Sequence, residues 1–117
     1  MNSKAGEEAV TWHVACRTDR LPNGGGYGIK IGETRIGVYR LEDGSLHAIG
    51  DICTHEFAIL SEGFVEEDRI ECPLHAALFD IRSGKCFGPL AKRDLPVFPV
   101  RVEGDDILVG LMERDHA

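Results

Sequence analysis

The sequence predicts an all-β chain, a small antiparallel sandwich or barrel. Three observations carry the fold class. Short runs of β-forming residues recur between Gly, Asp and Pro turn signals. Glycine is high at 14 residues while aromatics make up only 7%. No window holds an amphipathic helical repeat of useful length.

The elements follow in order. Val10 to Cys16 (VTWHVAC) is dense in β-formers and reads as the first strand. Leu21 to Gly28 (LPNGGGYG) reads as a loop, since glycine and proline disfavour regular structure. Ile29 to Ile31 and Arg35 to Leu41 flank a Gly-Glu-Thr turn, and Asp43-Gly44 is a hairpin dipeptide from which Leu46 to Ile49 returns. Ala58 to Gly63 suits a single helical turn. Arg69 to Glu71, Leu78 to Ile81, Phe98 to Glu103 and Ile107 to Leu111 complete the set, with tight turns at Arg82-Ser83-Gly84 and Gly104-Asp105. The count expected is eight or nine strands.

A length of 117 residues allows one hydrophobic core and little more. The expected domain is 10–112, with 1–9 and 113–117 as flexible termini. A net charge of −7 argues against nucleic acid and against anionic membrane surfaces. No apolar run approaches the roughly 20 residues of a bilayer span. The opening MNSKAGEEAV lacks a hydrophobic signal core, so a cytoplasmic chain is expected. In that reducing setting Cys16, Cys53, Cys72 and Cys86 are ligands or buried thiols rather than disulfides.

The chemistry concentrates in Cys53-Thr54-His55 and Cys72-Pro73-Leu74-His75, a C-x-H arm and a C-x-x-H arm separated by sixteen residues. Two thiolates and two imidazoles suit either one zinc ion or a cluster with two unlike irons. Zinc fingers usually pair like ligands within an arm, whereas each arm here mixes Cys and His. Mixed arms suit a [2Fe–2S] rhomb, one iron taking a Cys from each loop and the other a His from each loop. Zinc stays open as a structural alternative with no redox role. His13, His47 and His116 lack a carboxylate at a spacing that would build a mononuclear iron site.

With these motifs the chain resembles Rieske-type [2Fe–2S] ferredoxins, the electron-transfer components of aromatic-ring-hydroxylating dioxygenase systems. The resemblance covers about residues 10–111. Beyond the two arms it includes Leu60-Ser61-Glu62-Gly63, Phe79-Asp80, Ser83-Gly84-Lys85 and Leu95-Pro96-Val97. It implies a Rieske fold with a cluster-binding part at about 50–90 and one [2Fe–2S] cluster per chain. Cys53 and Cys72 would bind the inner iron, His55 and His75 the outer iron through Nδ1. It implies shuttling from a flavin-dependent ferredoxin reductase to a terminal oxygenase through transient complexes, with no bond-making step on the chain itself. A monooxygenase ferredoxin or a nitrite-reductase small subunit is the alternative within the family.

The resemblance also assigns the surroundings. Respiratory high-potential relatives carry a disulfide whose two positions correspond to Ala58 and Leu74, and hydroxyls whose positions correspond to Ala77 and Phe79. Their loss here implies a potential near the lower end of the roughly −150 to +300 mV range of such centres. Gly88-Pro89 corresponds to a proline loop covering the cluster. His55, His75, Glu56 and Leu74 would form the docking edge for partners. The acids Glu56, Glu62, Glu66, Glu67, Asp68 and Glu71 read as a solvated face or as steering charge toward a basic partner. Cys16 and Cys86 read as structural thiols, Trp12 and Phe98 as core, and His47 as an ordinary strand histidine.

Overall fold

The structure is a computed structural model and describes residues 10–53, 58–74, 77–87 and 93–112. The expectations for His55, Glu56, His75, Gly88, Pro89, His116 and both termini lie outside the described residues.

The described chain is all-β, with eleven strands in three antiparallel sheets. The first sheet joins β1 (Val10–Arg17), β11 (Asp106–Met112) and β10 (Val100–Glu103) in the order β1-β11-β10. The second runs β2-β3-β4-β9, from β2 (Gly26–Ile31), β3 (Thr34–Arg40), β4 (Leu46–Gly50) and β9 (Val97–Phe98). The third is a meander of β5 (Phe64–Glu66), β6 (Arg69–Glu71), β7 (Leu78–Asp80) and β8 (Cys86–Phe87). Two 3₁₀ turns, Thr18–Arg20 and Leu60–Glu62, interrupt the strands, the second within the predicted helical turn.

The second sheet is a wall between two cores. Side chains alternate across a strand, so Ile36, Val38 and Ala48 join one core with Cys16, Leu21, Phe98, Ile107, Val109 and Leu111. Tyr39, Leu41 and Ile49 join the other, with Leu60, Ile70, Phe79, Ile81 and Leu95. Burial on both faces explains why Ile36 to Tyr39 is inaccessible without a polar break. At about 2 kcal/mol per fully buried large apolar side chain, either core alone outweighs the surface ion pairs.

Four expectations need correction. Gly26, Tyr27 and Gly28 are not loop but the start of β2; the aromatic ring of Tyr39 lies where a Cβ at Gly26 would stand, 2.7 Å from Cε1. Glycine here makes room within a strand instead of ending it. The stretch from Phe98 to Glu103 is two strands, because Pro99 has no N–H for a ladder and the chain changes sheet there. β5 and β8 were not expected, since two or three residues are too few to show a period. Trp12 is not core: it is half-buried, with the Arg101 guanidinium 4.2 Å above its ring. Phe98 and Cys16 are buried as expected.

Candidate metal centre

The two cysteine arms fold by one rule. β4 ends at Gly50; Ile52 then bridges Ile59, and one step further the Cys53 N–H donates to the Ala58 carbonyl at 3.0 Å. At the other arm Glu71 pairs with Leu78 across β6 and β7, and one step further the Cys72 N–H donates to the Ala77 carbonyl at 2.8 Å. Each arm is therefore a hairpin closed by a Cys–Ala pair, with four residues between, 54–57 and 73–76. The C-x₄-A spacing occurs in both arms and was the unused signal for this closure.

Both cysteines are inside. Cys53 is 4% exposed and Cys72 1%, and with Ala58 and Ala77 they belong to the same core as Phe79, Leu60 and Ile70. None of the four cysteines is in a disulfide. The Leu60–Glu62 turn packs against β2 and β6, and so connects the exit of the first arm to the stem of the second. A Cβ at Gly63 would run into the Glu71 carbonyl, so the two stems meet in direct backbone contact there.

The side chains at positions 77 and 79 are apolar. Ala77 and Phe79 are fully buried, while Leu74, at the tip of the second arm, is 58% exposed. Cys86 lies near the surface of the same core; its N–H donates to Asp94 Oδ1 at 3.0 Å, and burial followed by the Asp94 carboxylate raises its thiol pKa. The Leu95 N–H donates to the Gly84 carbonyl at 2.7 Å, so residues 84–86 and 94–95 form a closed base for the intervening segment. Cys16 belongs to the opposite core, its thiol pKa raised by burial, which excludes it from the centre.

The donor chemistry fits an iron–sulfur group. Two cysteines at equivalent positions of the two arms, both buried in one apolar core, are of a chemistry that could hold an iron through sulfur. Isolated thiolates in such surroundings are unfavourable unless a cation compensates them. Among the described residues no three His, Cys, Asp or Glu side chains converge on a point.

Comparison with known proteins bears on the same arms. Residues 11–99 match the Rieske [2Fe-2S] domain family. The chain belongs to that family. The Rieske chain is 35% identical over 98 residues to the ferredoxin component of the naphthalene 1,2-dioxygenase/salicylate 5-hydroxylase systems of a Ralstonia species, covering 84% of this chain and 93% of the relative. A solved complex of reduced oxygenase and oxidized ferredoxin in carbazole 1,9a-dioxygenase contains a chain with TM-score 0.77 and 32% identity, covering 84% of this chain and 91% of that one. A chain described as an NADH-dependent nitrite reductase small subunit from Mycobacterium tuberculosis gives TM-score 0.78 at 28% identity, with 89% and 97% coverage. Family membership brings one [2Fe–2S] cluster per chain. It also places the chain among electron-transfer components rather than catalysts. No described helix is long and apolar enough to cross a membrane.

Proposed function

We propose that this Rieske protein is the cytoplasmic one-electron carrier of a ring-hydroxylating dioxygenase system, taking electrons from a flavin-dependent ferredoxin reductase and delivering them to the terminal oxygenase. The observation that carries the reading is the pair of matched Cys–Ala closures, which bring Cys53 and Cys72 into one apolar core. Cys53 and Cys72 would hold one iron and His55 and His75 the other. The bound cluster supplies reversible one-electron chemistry at a potential set by its surroundings.

The chain's own residues have three tasks. The core around Phe79 and Ala77 would exclude water, and neither of these two side chains carries a hydroxyl for the cluster sulfurs, which favours the oxidised state. Leu74, which is exposed, would cover the tip, and Pro89 is assigned to the covering loop on the resemblance alone. His55, His75, Glu56 and exposed Leu74 form the edge against which both partners dock in turn, so complexes are alternate and short-lived. We assign the cluster-binding part to about residues 50–90 of a single domain spanning 10–112.

The test is anaerobic purification followed by iron and acid-labile sulfide analysis and reconstitution with a reductase and an oxygenase. Two irons and two sulfides per chain, a rhombic signal on reduction and a potential below zero are expected. Colourless protein holding zinc overturns the reading. Turnover with a nitrite reductase instead of an oxygenase favours the second reading, which the likeness to the mycobacterial small subunit supports.

A further inference from the structure

Asp51 is the one charged or polar residue that is fully buried among the described residues, at 1% exposure. It sits at the entrance of the first arm. Its N–H donates to the Arg35 carbonyl at 3.1 Å, and its carbonyl accepts the Leu60 N–H at 2.8 Å. Among the described residues its carboxylate is held by Ser61, at the exit of the same arm: the Ser61 N–H donates to Oδ1 and the Ser61 hydroxyl to Oδ2, each at 2.7 Å. Entrance and exit of the segment 52–59 are thus cross-linked by three hydrogen bonds between residue 51 and residues 60 and 61.

The pair has a seat made for it. Gly28 and Gly37 are direct partners across β2 and β3. A Cβ at Gly28 would run into the Ser61 hydroxyl and stand 2.7 Å from Asp51 Oδ2; a Cβ at Gly37 would stand 3.0 Å from Asp51 Oδ1 and 2.8 Å from Tyr39 Oη. Two facing glycines cut a notch in the central sheet that any side chain would fill. A desolvated carboxylate is poor value as a stabilising device, since apolar replacements of buried polar pairs are often neutral or better. Its use is in fixing one geometry.

We propose that Asp51 and Ser61, seated in the Gly28–Gly37 notch, are positioning residues that hold the first ligand arm, and with it Cys53, in register with the second. The inference rests on the reading of Cys53 as an iron ligand. It assigns the pair no contact with the cluster; it acts through the stems of the arm.

The test uses the holoprotein and the variants D51N, S61A and S61T. Iron release to a chelator, the electron paramagnetic resonance g values of the reduced protein, and amide hydrogen exchange at Cys53, Leu60 and Ser61 are measured beside the urea midpoint. Iron release about 10- to 100-fold faster in D51N and S61A is expected, with displaced g values, faster exchange at those three amides, and recovery in S61T, which keeps the hydroxyl. The double variant D51N/S61A should release iron no faster than the worse single one, because the two act as a unit. Wild-type release and g values in S61A overturn the inference while leaving the ligand reading intact. A wild-type protein without iron and sulfide overturns the ligand reading, and the inference with it. If D51N does not fold, the S61A and S61T comparison decides.

Discussion

Single residues divide into those that chemistry marks and those that only the fold marks. Cys53 and Cys72 stand out in the sequence because metal ligation demands particular residue types at short spacings. Asp51 does not, because an aspartate just past a strand reads as an ordinary turn former; its burial depends on two glycines that sheet pairing brings beneath it. Gly84 is similar: it has φ +76° and a Cβ there would run into the Leu95 carbonyl. Gly84→Ala should lower stability by about 1–2 kcal/mol from the left-handed backbone alone, with the clash added, measured as a lower urea midpoint. At the centre itself, Ala77→Ser with Phe79→Tyr should raise the midpoint potential, since a hydroxyl against a cluster sulfur stabilises the added electron. Protein-film voltammetry reads the shift, and an unchanged potential would remove these two positions from the cluster's surroundings.

Elements were legible where a period or a turn dipeptide had room to show. The Asp43-Gly44 hairpin and β3, β4, β6 and β11 lie where the pattern puts them, whereas β5, β8 and the break at Pro99 depend on pairing partners distant in sequence. One inter-element strut has a measurable signature. Arg82, after β7, donates to Asp43 Oδ2 at 2.8 Å in the β3–β4 turn and to Asp68 Oδ2 at 3.1 Å in the β5–β6 turn, tying the third sheet to the second. The Ser45 hydroxyl, then Arg82, hold the Asp43 carboxyl well below the usual carboxylate range. The folded protein therefore binds this proton less readily than the unfolded chain. The contribution to stability is complete above the unfolded pKa of about 3.9 and disappears as pH falls toward the folded value. Asp43→Asn should lower the urea midpoint at pH 6 and leave a smaller difference from wild type at pH 3, as chemical denaturation at the two pH values would show.

The whole molecule carries −7 net charge; the third sheet contributes half-buried Glu71, next to Cys72, and at the other end of β6 exposed Glu66 and Glu67 with half-buried Asp68. Charges of one sign beside an electron exit speed encounter with a basic partner and lose that effect once salt screens them, over about 8 Å at 0.15 M ionic strength. The second-order rate of electron delivery to the oxygenase should therefore fall several-fold between about 20 and 200 mM salt in stopped-flow measurements. A rate indifferent to salt would return these acids to the role of solvated surface.

The sheet that is covered on both sides makes the molecule indivisible. Anyone transplanting the two cysteine arms into another scaffold would have to take β3 and β4 along, because Tyr39 and Ile49 share the core of Cys53 and Cys72 while Ile36, Val38 and Ala48 of the same strands belong to the other core. Cut at that partition, each piece would present a greasy side to water, and melting of the one end should drag down the other in a single step.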